Sequence, residues 1–494
     1  MKTKRYLKDA ILILLIISTL FLTVQIWMGS NPVANGNKSV FSVIVDPIIQ
    51  LFSHEQEASL SDSLGNLMRP QKIVLNQSTK RAVLYSSDNF FSKVHDACDN
   101  LIKKYCQGTL KILSKETVPE EVYYSALKEN SIYINYGNIY DYRLFFNSIC
   151  GETSNDLNGD ISSLREYIIS LNDNILNNVT IYMKDYKSGN VYRYIVEEDK
   201  ATYDRLLTEY FIDKGAQTLN YSFELNFHKQ ESGVGTLTKL VFEPKILFHL
   251  SPVASAVVTP DMNRFQDWSS LGPDTIDDLL NAFQVNPMTM RKYTDLANAR
   301  VYVENDATLM LYPGGILKYQ AVESGKGLPV ATTSDKGTFD IYSAVTSAVN
   351  FVVDLNHKLP QNDTNSLRLC CDLVENTTSK TYQFTFDLYV NGLPVLQIDP
   401  DTGKSCHAIE MTISDGYIKY YRQFFHQYKT GNVGETIPPV IGAMDDLVDR
   451  LNPQDESIYV LNIARCYVDE QTQEALLPQW MVSVNGIDEI ITVK

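Results

Sequence analysis

Near the start of the chain, an apolar run from Ala10 to Met28 contains no charged side chain. A helix rises about 1.5 Å per residue, so this run would span roughly 29 Å, close to the thickness of a bilayer's hydrocarbon core. We therefore predict one transmembrane helix over residues 10–28. Residues 1–9 are basic and predict a cytoplasmic tail, which places the rest of the chain outside the cell membrane. The alternative is a cleaved signal peptide, but no small-residue cleavage site follows the run.

Polar positions recur inside this apolar run. Ser18 and Gln25 continue a seven-residue spacing that begins at Ile11, and Thr19 and Thr23 lie beside that line. Small and polar side chains at helical spacing allow helices to associate in lipid. These five residues therefore predict a partner-binding face on the transmembrane helix. The alternative is that Gln25, near the outer end, simply reaches the lipid headgroups.

After a polar linker at residues 29–40, alternating strands and striped helices predict an α+β fold of antiparallel sheets with packed helices. The length favours about three extracytoplasmic parts. We place an N-terminal α/β domain at 41–160, a middle α+β domain at 161–300 and a C-terminal domain at 301–494. The strands are predicted at 72–75, 82–85, 131–136, 180–183, 191–195, 221–228, 238–243, 382–390 and 480–484. The helices are predicted at 90–106, 200–211, 274–283, 339–355 and 441–451.

The last two hundred residues repeat one order of elements. A predicted helix and strand end in Val390-Asn391-Gly392, and the same order ends again in VNG at 484–486. Asn-Gly is a strong signal for a two-residue hairpin turn. We therefore predict two copies of one small α+β unit, with a chance recurrence of three residues as the alternative.

Charge and cysteine content limit the possible partners. The net charge is -16 and no basic stripe is present, which excludes nucleic acid. The seven cysteines are odd in number and form no C-x-x-C pair, so we predict buried thiols and no zinc site. Cys98 and Cys106 could pair if they lay on adjacent turns of structure. The adjacent Cys370 and Cys371 could not pair with each other without strain.

We find no catalytic, cofactor-binding or metal-binding residues. The chain has no G-x-S-x-G, no H-E-x-x-H and no phosphate-binding glycine loop. The stretch 156–167 begins like a calcium loop, but Ile161 and Tyr167 occupy the positions that need glycine and glutamate. The spaced carboxylates of Asp399 and Asp401 are interpreted as part of an exposed hairpin turn.

Several segments, taken in order along the chain, resemble the YycH (WalH) family. They are LFLTVQIW at 20–27, RPQKIV at 69–74, FQVNP at 283–287 with Arg291, VYV at 301–303, LMLYPGG at 309–315, LKY at 317–319 and YVNGLPV at 389–395. The last of these, with AIE at 408–410 and DG at 415–416, is also similar to the partner family YycI.

The resemblance implies a non-catalytic, membrane-anchored protein of Gram-positive bacteria. Such proteins bind the sensor histidine kinase YycG (WalK), with a YycI-like protein as second partner, and adjust its activity in cell-wall homeostasis. The resemblance also implies that the two C-terminal units are PepSY-like repeats. Two alternatives stay open: an anchored cell-envelope hydrolase or peptidase with an unrecognised site, and a sporulation or germination protein with PepSY-like modules.

Overall fold

The computed structural model describes residues 64–150, 161–172, 177–225, 240–260, 268, 272–304, 307–322, 327–330, 339–358, 367–373, 380–451, 457–471, 474–485 and 491–493. The predicted tail, transmembrane helix and linker at residues 1–40 lie outside this range, as do residues 156–160 of the stretch that resembles a calcium loop. Backbone contacts divide the chain into Met1–Glu57 and Ala58–Lys494, and every element below belongs to the second unit.

Helices and strands alternate along the described residues. The helices are α1 Asn89–Cys106, α2 Glu120–Ala126, α3 Tyr142–Cys150, α4 Lys200–Asp213, α5 Pro273–Ala282, α6 Ile341–Lys358 and α7 Val440–Leu451. The strands up to residue 260 are β1 Lys72–Gln77, β2 Lys80–Leu84, β3 Ile112–Val118, β4 Ser131–Asp141, β5 Ser163–Ser170, β6 Asn178–Lys184, β7 Val191–Glu197, β8 Leu219–Tyr221, β9 Leu240–Phe242, β10 Leu247–His249 and β11 Val253–Pro260.

The remaining strands follow α5 and belong mostly to one large sheet. They are β12 Arg291–Thr294, β13 Arg300–Glu304, β14 Ala307–Tyr312, β15 Ile316–Ala321, β16 Leu328–Pro329, β17 Leu367–Leu369, β18 Thr381–Val390, β19 Leu393–Ile398, β20 Ser405–Cys406, β21 Ile409–Ser414, β22 Tyr417–Phe424, β23 Tyr428–Ile437, β24 Ile458–Asp469, β25 Gln479–Val484 and β26 Ile491–Val493.

The first sheet contains seven described strands in the order β2-β1-β4-β5-β6-β7-β3, all antiparallel. Both faces are buried because apolar side chains occupy both sets of alternating positions. Ile73 and Leu75 pack under α1, α3 and α4, whereas Val74 faces the side covered by α2. Strands β4 and β5 are neighbours, so this sheet extends across residue 160; the three-part domain division stays a prediction.

Helix α1 shows how local sequence signals fix an element of this layer. Asp88 caps its start, because the carboxylate accepts a hydrogen bond from the backbone N–H of Phe90 at 2.8 Å. Lys103 and Lys104 lie in the last turn, where their positive charges interact favourably with the negative end of the helix dipole. The buried residues follow helical spacing and face the sheet: Phe91, Val94, Cys98, Leu101, Ile102, Tyr105 and Cys106.

The second sheet is larger and holds fifteen described strands. Its main path runs β12-β13-β14-β15-β22-β21-β18-β19-β24-β25-β26, with β16, β17, β20 and β9 at its sides. Most pairs are antiparallel, but β24 is parallel to both β19 and β9. The predicted α+β class with antiparallel sheets and packed helices is therefore confirmed, and the two parallel pairs are an addition to it.

Most predicted elements are found within a few residues of their expected ends. One prediction is wrong: residues 222–224 form a 3-10 turn rather than part of a strand at 221–228. The turn is held by Glu224, whose carboxylate accepts from the backbone N–H of Tyr221 at 2.9 Å and pairs with Arg81 at 2.7 Å. These contacts bend the chain where sequence alternation alone favoured an extended segment.

A helix followed by three neighbouring antiparallel strands occurs twice in the C-terminal part, but only the second set is consecutive in the chain, because β19 and β20 come between β18 and β21. Helix α6 precedes β18, β21 and β22, and α7 precedes β24, β25 and β26. The two VNG strings do not align within these units, because the first follows β18, a first strand, whereas the second follows β25, a second strand. The string that suggested the repeat is therefore not equivalent in the two places, and the two PepSY-like copies stay a prediction.

The two sheets contact each other through backbone groups. In the turn between β18 and β19, Asn391 and Gly392 have φ values of 53° and 77°, as a two-residue hairpin turn requires. A Cβ on Gly392 would lie 2.9 Å from the backbone nitrogen of Ser87, just before α1. A second contact joins Asp141 at the end of β4 to the carbonyl of Leu373, at 2.7 Å.

Candidate functional site

The partner-binding face predicted in the transmembrane helix lies outside the described residues. Nothing in the structure tests Ile11, Ser18, Thr19, Thr23 or Gln25, and their role stays a prediction. Within the described ranges, no helix is both long and apolar enough to cross a membrane.

The most polar interior site is a group of side chains around Glu166 of β5. Its carboxylate is fully buried and accepts hydrogen bonds from Lys245 Nζ at 2.7 Å, Tyr186 OH at 2.7 Å, Tyr133 OH at 2.6 Å, Tyr123 OH at 3.2 Å and Asn135 Nδ2 at 3.1 Å. We call these six residues the interior charge cluster. Lys245 follows β9, a strand of the second sheet, so the cluster ties the two sheets together.

Charge balance explains how the cluster tolerates burial. Burial by itself raises the pKa of Glu166, but the Lys245 ammonium and the hydrogen-bond donors outweigh it and lower the pKa to about 2. The carboxylate is therefore ionised over the whole physiological range. Lys245 also lies 3.2 Å from Glu243 and hydrogen-bonds Tyr186. With its donors arranged this way, Glu166 stabilises the fold and has no lone pair directed to solvent.

A small polar cavity of about 10 Å³ lies beside the cluster. Lys72, Arg165 and Lys245 line it together with Asn135, so three cations share a space that suits about one water molecule. Burial lowers the pKa of Lys72 to about 8, while Glu166 opposes that change. The cavity is too small for an organic ligand, and Lys72 is the least compensated charge in it.

Two histidine–aspartate pairs in the second sheet resemble parts of a catalytic site but are structural. His426 Nδ1 lies 2.9 Å from Gln397 Oε1 and 3.1 Å from Asp469 Oδ2, and its Nε2 lies 2.7 Å from the carbonyl oxygen of Gly314. Because both ring nitrogens are engaged, this imidazole has none left to activate a nucleophile.

The second pair is His407 with Asp387, at 2.8 Å. Burial lowers the pKa of His407, but the attraction of Asp387 outweighs it, so the net pKa is raised. The same carboxylate accepts the backbone N–H of Ala408 at 3.1 Å, which fixes the start of β21. This ion pair therefore orients the backbone between β20 and β21.

The spaced carboxylates of Asp399 and Asp401 form part of a turn. Asp399 accepts the backbone N–H of Asp401 at 2.9 Å and pairs with Arg422 at 2.8 Å, between the paired strands β19 and β20. The interpretation of 399–403 as a hairpin turn is therefore confirmed. Within the described part of the chain, no three His, Cys, Asp or Glu side chains are grouped to hold a metal ion. The absence of metal and cofactor stays a prediction.

Two adjoining clefts open on the C-terminal part. The larger, of about 940 Å³, lies between α7 and the ends of β19, β24 and β26; its charged lining is Lys404, Asp446, Asp449, Arg450 and Glu470. The smaller, of about 320 Å³, is lined mainly by apolar residues of the segments 436–438 and 474–479, including Leu477, which is 48% exposed. Glu470 lines both.

Sequence reasoning did not single out the interior charge cluster. One signal was present: Glu166 lies in the apolar strand β5, where it shares a face with the buried residue Ile168. A charge at a core-facing position of a strand indicates a buried partner. Its partner Lys245 lies seventy-nine positions away, and no local pattern identifies it.

The chain is similar in fold to a known protein. The crystal structure of YycH from Bacillus subtilis superposes with a TM-score of 0.55 and 13% sequence identity, covering 87% of this chain and 96% of that chain. The sequence matches no protein-family model and no curated protein. The resemblance to YycH expected from short segments is thus confirmed as a likeness of fold.

Proposed function

We propose that this chain is a membrane-anchored extracytoplasmic regulatory protein that modulates a cell-wall-sensing two-component histidine kinase by protein–protein contact. The observation that carries this proposal is the likeness of fold to YycH, which extends over 87% of the chain rather than over one shared module. The family role implied by the sequence resemblance agrees with it. In this proposal residues 10–28 are an uncleaved anchor, and the two C-terminal units that begin at α6 and α7 are PepSY-like.

The polar groups of the described interior support a binding role over catalysis. The carboxylate of Glu166 is saturated by donors, and both nitrogens of His426 are engaged. An acid–base catalyst needs a group that can exchange a proton with a substrate. The accessible features are instead clefts, and we assign the contact with the kinase ectodomain to the smaller, apolar one. A YycI-like protein is the second proposed partner.

Two surfaces are therefore proposed to hold the kinase. The first is the transmembrane face of Ser18 and Gln25, which would pack against the kinase's own membrane helices. The second is the smaller cleft, where exposed Leu477 provides apolar area for an extended segment. Full burial of a leucine contributes roughly 1.5–3 kcal/mol, and covering the exposed half of Leu477 contributes about half of that. A charge at this position adds the cost of removing it from water, so it should weaken binding strongly.

Co-purification of the full chain from detergent with its tagged sensor kinase tests the proposal. We expect the wild-type chain to be retained, and retention to fall at least tenfold in Leu477→Asp and to fall in the double variant Ser18→Leu with Gln25→Leu. Leu296→Asp is the matched control, because this leucine is fully exposed at 106% and lies outside both clefts.

The outcomes separate the surfaces. A loss only in Leu477→Asp leaves the ectodomain as the contact, and a loss only in the double leucine variant leaves the anchor. No retention of the wild-type chain, together with unchanged kinase output when the gene is deleted, would refute the regulatory proposal. Mass spectrometry of the membrane-extracted protein tests the anchor: a mature chain that starts near residues 30–36 would contradict it.

A further inference from the structure

The last residues of two packed helices are both cysteines. Cys106 ends α1 and Cys150 ends α3. The rings of Tyr105 and Phe146 lie 6.1 Å apart at the same contact. Residues four apart share a face of a helix, so Cys150 follows Phe146 on the side of α3 that meets α1. The two helix ends therefore bring the cysteines together across the sequence interval of β3, α2 and β4.

The two thiols lie at one helix–helix contact. Cys150 packs against the hydrophobic core that contains Cys106, and each thiol shifts the pKa of the other. Both are free thiols, with Cys106 buried in the core and Cys150 half-buried at its edge. The Lys103 ammonium, one turn before the end of α1, acts on Cys150 as well. A core thiol next to a partly accessible one is the arrangement that thiol–disulfide exchange needs.

We propose that Cys106 and Cys150 are a modification site that closes to a reversible intramolecular disulfide. The bond would link the ends of α1 and α3 and fix the helical layer on the first sheet. The inference is independent of kinase regulation, because it rests on these helix ends alone. In an oxidising extracytoplasmic compartment the disulfide form would persist.

The exchange requires a disulfide oxidant, either a small molecule such as oxidised glutathione or a protein disulfide. The Cys150 thiolate attacks one sulfur of the oxidant, which forms a mixed disulfide and releases one thiolate. Cys106 then loses its proton to solvent, and its thiolate attacks the Cys150 sulfur and releases the second thiolate. Two protein thiols are oxidised and one disulfide of the oxidant is reduced. The hydrogen bond from Cys106 and the charge of Lys103 outweigh burial and lower the pKa of Cys150, which favours it as the first nucleophile.

The other pairings considered from the sequence are not available. Cys98 and Cys106 lie on the same helix eight positions apart. Eight residues rise about 12 Å, well beyond the roughly 7 Å limit between the Cα atoms of a disulfide. Cys98 is also fully buried, and burial raises its pKa well above its usual value.

Peptide mapping of the full-length chain tests the proposal without any variant. The protein is incubated with oxidised glutathione, alkylated and digested with trypsin under non-reducing conditions. We expect a linked pair of peptides, YCQGTLK at 105–111 and the peptide at 144–165, that separates on reduction; Cys98 falls in a different peptide at 94–103. Finding Cys106 and Cys150 both alkylated after oxidation, or either linked to another cysteine, would overturn the proposal.

Thermal unfolding gives a second measurement. We expect the oxidised wild-type chain to unfold several degrees higher than the reduced chain, because the crosslink restricts the unfolded state. Cys150→Ser should abolish this difference. The control variant Cys371→Ser removes another half-buried cysteine, which follows β17, and should retain the difference. An equal loss in both variants would contradict the assignment to Cys150.

Discussion

Replacing Glu166 by glutamine tests whether the interior charge cluster stabilises the junction of the two sheets. Glutamine keeps the shape of the side chain but removes the negative charge. Lys245, which is only 5% exposed, would then lose its closest carboxylate. The four other donors of the cluster would lose a charged acceptor. Removing one partner of a buried ion pair is strongly destabilising, because the remaining charge cannot return to water.

The magnitude follows from the pKa of Glu166. The usual pKa of 4.5 and the buried pKa of about 2 differ by roughly 2.5, which corresponds to about 3 kcal/mol in favour of the ionised, folded form. Since the side chain is fully buried, solvent screening does not reduce this figure. The folded pKa is lower than the unfolded pKa, so this stability is complete above about pH 5 and is lost as the pH falls towards 2.

Chemical denaturation of the wild-type chain and of Glu166→Gln at pH 7 and pH 3 measures the effect. We expect the variant to lose about 3–5 kcal/mol at pH 7 and less at pH 3, where wild-type protein has itself lost part of the contribution. Both full-length chains are compared in the same detergent throughout, so that the proposed anchor contributes equally to both.

Replacing Lys245 of the cluster and Lys72 of the adjacent cavity should change the free energy of unfolding in opposite directions. Lys245→Met should destabilise, because it leaves Glu166 uncompensated. Lys72→Met should stabilise at pH 7, because burial depresses the Lys72 pKa from 10.5 to about 8 and the folded state therefore holds this charge at a cost. For the same reason wild-type stability should rise between pH 8 and 10.5, and Lys72→Met should flatten that rise. Equal destabilisation by both lysine variants would refute this account of the cluster.

Three further predictions concern the helices and the contact between sheets. Gly392→Ala should cost more stability than Gly416→Ala, since both glycines have positive φ but only a Cβ on Gly392 would meet the backbone of Ser87; equal costs in urea denaturation would argue against a close approach of the sheets. Asp99→Asn should stabilise at pH 8 and have little effect at pH 4, because burial raises the pKa of this carboxyl to about 7; a pH-independent change measured by thermal unfolding would contradict this. Asp88→Ala should cost about 1 kcal/mol through loss of the α1 cap, and unchanged thermal unfolding would contradict that role.

Elements with a local cause could be predicted from the sequence, and contacts between distant segments could not. The hairpin of β6 and β7 follows from alternation around a Lys-Ser-Gly-Asn turn, and α1 follows from its cap and stripe. By contrast, β24 pairs in parallel with β9, which places Val460 beside Phe242. Parallel neighbours need no turn between them, so the sequence carries no marker of which strands meet.

The candidate sites divide in the same way. The turn at 399–403 was predictable because its spacing of Asp, Pro and Gly is a local signal. The pairing of Cys106 with Cys150 was not, since it depends on two helix ends that meet only after the sheet beneath them has formed. Glu166 is intermediate between these cases. A charge at a core-facing strand position indicates that a partner exists, but only the fold determines that the partner is Lys245. A charged residue at a core-facing position in the sequence therefore predicts a long-range contact. In this chain that contact is the ion pair of Glu166 with Lys245, at the junction between the two sheets.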